Sequence, residues 1–177
     1  MARLAGAHVL VAGLGGVGSY AAEALARAGV GRLTLADHDR VAPSNLNRQL
    51  VALRSTLGRP KVQVMAERIA DINPHCEVSL MERFLDPEGI PEALAQGFDQ
   101  VADAIDSLSA KVELIAVARA RGLSIVSSMG AGGRLDPTRV LVGDLMDTRE
   151  CGLARALRTR LRRRGLGRGL TVVWSDE

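Results

Sequence analysis

The stretch HVLVAGLGGVGS, residues 8–19, decides how the rest of the chain is read. His8 to Ala12 is a short aliphatic run of strand length. Gly13, Gly15, Gly16 and Gly18 follow, and the alanine-rich segment to Ala28 has helical character. Strand, tight turn and helix in that order form the context in which a GxGxxG pattern carries meaning. Glycines allow the backbone to turn sharply and approach a ligand, and the helix N-terminus offers unpaired N–H groups and partial positive charge to a phosphate. Gly13, Gly15, Gly16 and Gly18 are therefore candidate nucleotide-binding positions.

Working outward, an apolar run from Leu33 to Ala36 ends in Asp37-His38-Asp39, and a polar loop spans Val41 to Asn47. Pro60 stands at a helix start, and Val62, Met65, Ile69 and Ile72 recur at helical spacing until Asn73-Pro74 ends the run. Strands are expected at Glu77–Met81, Gln100–Ile105, Leu123–Ser127 and Val140–Val142, and helices at Pro91–Gln96 and Ala110–Arg121. A glycine-rich turn covers residues 130–133. This alternation predicts a single α/β domain over residues 1–177, a doubly wound, mostly parallel sheet of Rossmann-like type.

Composition excludes several classes. With 177 residues, 47% hydrophobic and 24% charged, the chain is globular and long enough to bury a core without metal or disulfide staples. Tyr20, Phe84, Phe98 and Trp174 are its only aromatics, too few for a base-stacking platform. Cys76 and Cys151 lie far apart without CxxC or CxxH neighbours, so no zinc site is readable, and a reduced cytoplasmic setting is expected. Leu4 to Ala22 carries no formal charge, but five glycines and His8 interrupt it, so a buried strand and helix are expected there rather than a leader or membrane span.

Charge is uneven. Residues 1–147 hold 15 basic and 17 acidic side chains, whereas residues 148–177 hold eight arginines and three acids, so the net charge of +3 resolves into a slightly acidic body and a basic end. Leu153, Leu157 and Leu161 recur every fourth position among arginines, describing a basic amphipathic helix within residues 148–168. Such a run is ordinarily a solvated helix face. Its alternative is contact with RNA phosphates through Arg158, Arg162 and Arg163.

Several polar residues extend the nucleotide reading. Asp37 stands where a carboxylate accepts ribose hydroxyls, unless it is a turn or capping aspartate. By this much alone a nicotinamide-dependent dehydrogenase is the leading reading. Asn45 and Arg48 are one helical turn apart, a pairing suited to a polyphosphate. Of the 23 basic residues 21 are arginine, so the lysines Lys61 and Lys111 are exceptional. Lys61 falls in a first helical turn, where a cation opposes the helix dipole, and so invites a functional explanation such as phosphate binding. Asp106 is placed as a Mg²⁺ ligand at the carboxyl end of the fourth strand, whereas Asp103 is expected to lie within that strand and support the site.

GLGGVGS at 13–19, LADHD at 35–39, SNLNRQ at 44–49, GRPK at 58–61, INP at 72–74 and DAIDS at 103–107 occur in one order and register. The set resembles the ubiquitin-activating-enzyme-like superfamily. AIDSLSAKVELI at 104–115, SSMGAGGRLDPTRVLVGDL at 127–145 and the basic stretch to Arg168 are similar to its tRNA threonylcarbamoyladenosine dehydratase family. The resemblance implies ATP and Mg²⁺ as cofactors, Gly16 at the nucleotide, and Asp37 at the ribose. It further implies Ser44, Asn45, Arg48 and Lys61 at the phosphates and Asp106 on the metal, with Asp39 and Lys111 as secondary candidates.

Arg48, Lys61 and Asp106 would be the catalytic set. The activity implied is ATP-dependent cyclisation of threonylcarbamoyladenosine in tRNA through an acyl-adenylate. The alternatives are adenylation of a sulfur-carrier or ubiquitin-like C-terminus and, from another class, an NAD(P)-dependent oxidoreductase. tRNA is the expected partner, a homodimer the expected assembly, and a sulfur-transfer partner is left unidentified. Members of that family carry an additional arginine-bearing N-terminal segment and continue beyond the point matching Glu177, so an adenylation core trimmed at both ends is expected.

Overall fold

The computed structural model describes residues 2–177. After a short helix α1 (Ala2–Ala5), the chain runs β1 (His8–Ala12), α2 (Gly18–Arg27), β2 (Arg32–Ala36), α3 (Lys61–Ile72), β3 (Glu77–Met81) and α4 (Ile90–Ala93). It continues β4 (Gln100–Asp103), α5 (Leu108–Ala120), β5 (Ser124–Ser128), β6 (Val140–Asp144), α6 (Gly152–Arg163) and β7 (Thr171–Ser175). The sheet order is β3-β2-β1-β4-β5-β7-β6, parallel throughout except that β6 pairs antiparallel with β7. The doubly wound, mostly parallel sheet read from the sequence is thus present.

Alternation along β1 shows why the sheet is covered on both faces. Val9 and Val11 pack into one buried cluster with Ala22, Ala26, Val62, Met65 and Ile69 of α2 and α3. Leu10 and Ala12 point into a second, with Leu114 and Ile115 of α5 and Leu157 and Leu161 of α6. Strand side chains alternate between faces, so a strand buried on both sides must be apolar throughout. The basic helix therefore belongs to the same core as β4 and β5, with its leucines inward and its arginines outward.

β4 is shorter than expected. Ala104 still donates its N–H to Ala12 O at 2.8 Å, but the N–H of Ile105 turns onto the Asp103 carboxylate at 3.1 Å, ending the ladder. Asp106 consequently sits in a loop three residues past the strand. The 91–96 segment is likewise split into α4 and a 3-10 turn at Leu94–Gln96.

Two glycines are required by close approach. Gly13 has φ +89°, and a Cβ there would stand 2.7 Å from Ala104 O. A Cβ on Gly18 would stand 1.8 Å from Gly13 O, so the first turn of α2 can lie against the end of β1 only without a side chain.

Candidate nucleotide site

Chain order places β2 on one side of β1 and β4 on the other. Loops leaving the carboxyl ends of β1 and β4 diverge there and open a crevice, the position at which open α/β sheets take ligands. A cavity of about 660 Å³ occupies it. It is walled by the glycine loop, by Asp37–Asp39 after β2, by Asn45 and Arg48, by Lys61, by Ala104–Asp106 after β4, and by Ser128–Gly132 after β5.

The glycine loop is held so that its amides stay free. Asp37 Oδ2 accepts the Leu14 N–H at 2.6 Å, and its Oδ1 accepts the Asp39 N–H at 2.8 Å. Ser19 Oγ donates to Gly15 O at 2.7 Å. Among the described residues no hydrogen bond uses the N–H of Gly15, Gly16 or Val17, all three on the cavity wall at the start of α2. Three unpaired amides with a helix dipole behind them form an anion-binding surface.

Also on the wall, Asn45 is buried and its Oδ1 accepts the Ala42 N–H at 3.0 Å, leaving its NH2 group for a ligand. Arg48 is exposed. Its guanidinium donates to Ser44 O at 2.8 Å and Asn47 Oδ1 at 2.9 Å, and its stem passes over Gly16. Lys61 is 4% exposed, with Nζ 2.7 Å from Asp39 Oδ2. The unfavourable position of Lys61 at a helix start is thereby offset, because the Asp39 carboxylate brings negative charge to the same turn.

The hydrogen bond from the Lys61 ammonium holds Asp39 below the ordinary carboxylate range, against an opposing push from burial. A depressed folded-state pKa contributes stability that is present above the unfolded value of about 3.9 and is lost as pH falls through the folded value. The stability gap between the protein and Asp39→Asn should therefore hold steady above about pH 5 and close below about pH 4 in urea melts. A gap unchanged down to about pH 3 would show that the pair does not form.

Not every expected residue reaches the cavity. Ser44 is exposed outside its wall and offers its carbonyl to Arg48. Gly18 packs against Gly13 and takes no part in the lining. Lys111 is fully buried behind the sheet edge, its Nζ 2.8 Å from Asp103 Oδ2 and 3.2 Å from Ser127 Oγ, so it is not a phosphate contact in this arrangement. Asp103, as expected, lies in its strand, where its Oδ1 accepts the Ile105 N–H.

Arg158 is tied down by Thr148, donating to its carbonyl at 2.9 Å and to its hydroxyl, whereas Arg162 and Arg163 are exposed. The one cluster of three metal-type ligands among the described residues is Asp37-His38-Asp39, without Asp106. Two of its carboxylates are already engaged, by the amides of Leu14 and Asp39 and by Lys61.

The sequence reading missed other wall residues. Gln49 is buried on the wall, and its Oε1 has no partner in the chain. Arg83 and Phe84 follow β3, with Phe84 edge-on to His38 at a centroid distance of 4.8 Å. The SNLNRQ run already placed Gln49 beside Arg48. Nothing in the sequence brings Phe84 to His38.

The ThiF family model matches residues 1–163. The chain is 47% identical over 169 residues to tRNA threonylcarbamoyladenosine dehydratase of Bacillus subtilis (strain 168), covering 96% of this chain and 66% of that protein. It is 48% identical over 158 residues to the enzyme of the same name from Escherichia coli (strain K12), covering 89% and 59% respectively. A crystal structure of the E. coli tRNA N6-threonylcarbamoyladenosine dehydratase in complex with ATP superposes with a TM-score of 0.97 at 45% identity, covering 99% of this chain and 75% of that one. The chain thus spans roughly three fifths to two thirds of the length of these curated relatives.

Proposed function

The chain belongs to the ThiF family, and on that premise we propose that it is the ATP-dependent adenylating part of a tRNA threonylcarbamoyladenosine dehydratase. The observation that carries the reading is the row of free amides at Gly15, Gly16 and Val17 on the wall of a cavity that Arg48 and Lys61 also line. That surface fits a polyphosphate, whereas a nicotinamide site needs no such pair of cations. Relatives at 47–48% identity carry the dehydratase name, and one of them is known with ATP bound.

In this reading the amides and the two cations hold the phosphates, and Asp37 takes the ribose hydroxyls with its remaining lone pairs. The carboxylate of the threonylcarbamoyl group on tRNA attacks the α-phosphorus, the bond to pyrophosphate breaks, and an acyl-adenylate forms. The carbamoyl group of the same modification then displaces AMP, closing a ring with net loss of one water. The protein supplies alignment and charge neutralisation and needs no nucleophile. Arg48 and Lys61 act on the negative charge that develops as pyrophosphate departs.

Mg²⁺ fits at Asp106. This exposed carboxylate lies on the cavity wall, and among the described residues it forms no ion pair or side-chain hydrogen bond. One carboxylate plus phosphate oxygens and water is the usual magnesium environment, and the ion would neutralise charge on the phosphates. We further propose a homodimer, supported by exposed Val17, Tyr20, Leu46, Leu53 and Leu57, and a cytoplasmic setting. No helix is long and apolar enough to cross a membrane among the described residues.

The test is mass spectrometry of tRNA nucleosides after incubation with ATP and Mg²⁺. Threonylcarbamoyladenosine should lose one water as AMP and pyrophosphate accumulate. Thermal stabilisation by NAD(P)H and not by ATP with Mg²⁺ would overturn the assignment.

A further inference from the structure

A second, open cleft of about 370 Å³ is walled by Pro87, Ser109, Val112, Arg160, Arg163 and Arg164. It adjoins the nucleotide cavity along two chain segments. Pro87 follows cavity residue Leu85 by two positions, and Ser109 follows cavity residue Asp106 by three. At ~3.8 Å per residue, these lining residues of the two sites are at most about 12 Å apart.

The cleft is basic because its arginines are largely unspent. Arg164 is paired, with Nη1 2.6 Å from Glu113 Oε2. Asp86, beside Pro87, turns its carboxylate onto the Gly89 N–H at 2.6 Å. Arg160 and Arg163 are exposed and form no ion pair or side-chain hydrogen bond among the described residues. Nor does α6 provide a partner, since Gly152–Arg163 contains no acid. Arg160, Arg163 and Arg164 lie at the C-terminal end of α6, where the helix dipole favours cations, so their positive charges are tolerated three and four positions apart and stay available to an external polyanion. Ser109 adds a hydroxyl from the first turn of α5, where backbone N–H groups lack carbonyl partners. Val112 and Pro87 add apolar surface.

We propose that this cleft seats the phosphodiester backbone of the RNA substrate on Arg160 and Arg163, so that the modified nucleoside reaches the adjoining nucleotide cavity. The inference rests on the proposed function and assigns a place to its macromolecular partner. It also separates the arginines by role. Arg158 holds the Thr148 loop, whereas Arg160 and Arg163 meet phosphate. Arg155 and Arg162 lie outside the cleft walls and serve as a comparison of equal charge.

The experiment measures fluorescence anisotropy of a labelled tRNA transcript between 50 and 300 mM salt, roughly the range over which phosphate contacts are read. Arg160→Gln/Arg163→Gln should weaken binding roughly tenfold to a hundredfold near 0.1 M salt and lower the log–log salt slope by about 1.4–1.8. Arg155→Gln/Arg162→Gln should change affinity less than about threefold. Stabilisation by ATP with Mg²⁺ should survive in both, showing that the fold and nucleotide site are intact.

Equal losses in the two double variants, an unchanged slope in the first, or no tRNA binding by the unsubstituted protein would each overturn the inference. Failure of the proposed function is read separately, as absence of ATP-dependent water loss from threonylcarbamoyladenosine while tRNA binding still depends on Arg160 and Arg163.

Discussion

Arg48→Ala is expected to reduce ATP-dependent pyrophosphate release at least about a hundredfold, the usual cost of deleting a group that meets charge developing in a transition state. The thermal midpoint should barely move. Arg48 is exposed, and both of its hydrogen bonds are local, to Ser44 O and Asn47 Oδ1, so truncation leaves no buried group unpaired. Exposed substitutions of this kind change stability by about 0.5 kcal/mol or less. Arg48→Lys keeps the charge but loses the planar fork, so it should recover only part of the rate. Release by the alanine variant within about threefold of normal would remove Arg48 from the proposed machinery.

The second large effect concerns stability. Lys111 and Asp103 have fully buried side chains, with Nζ 2.8 Å from Oδ2. Ser127 Oγ donates to the same carboxylate oxygen at 2.6 Å, and the other oxygen accepts the Ile105 N–H at 3.1 Å. Removing one charge of a buried pair costs about 3–5 kcal/mol, because the other is left without a counter-ion, whereas replacing both by apolar groups is often nearly neutral. Lys111→Met alone and Asp103→Leu alone should each lower the urea midpoint strongly. The double variant should recover part of the loss, because it still leaves the Ile105 amide and the buried Ser127 hydroxyl without their partner, at about 1–3 kcal/mol each. Single variants within about 1 kcal/mol of the parent would show that the pair contributes little. Because Asp103 anchors Ile105, the double variant should also loosen the loop carrying Asp106, and with it the proposed metal position.

Local chemistry explains what could be read early. The GLGGVG turn, the strand ending in Asp37, the helical spacing of Asn45 and Arg48, and the start of α3 at Lys61 all depend on neighbours within a few residues. Their meeting at one crevice then follows from the handedness and order of βαβ units. Even the oddity of Lys61 was visible, as a cation at an unfavourable helix position. Its remedy was not, since Asp39 lies 22 residues away. The edge pairing of β6 with β7 was hidden for the same reason. Val140–Val142 has strand character by itself, but its register joins Val140 to Ser175 across the whole of α6.

By itself the sequence determined the α/β class, the glycine loop and several of the polar residues that line one cavity, because backbone torsion, apolar period and charge at helix ends are short-range properties. Only the tertiary structure decided how the remaining charged side chains are employed. Lys111 stood out as one of two lysines and is a buried counter-ion of Asp103; Arg158 was a candidate RNA contact and holds a loop; Arg160 carries no distinguishing signal in the sequence and stands free on the wall of the second cleft. The physical reason is common to all three. A long charged side chain acquires its role from the partner it meets, and that partner is chosen by packing between elements far apart in the chain.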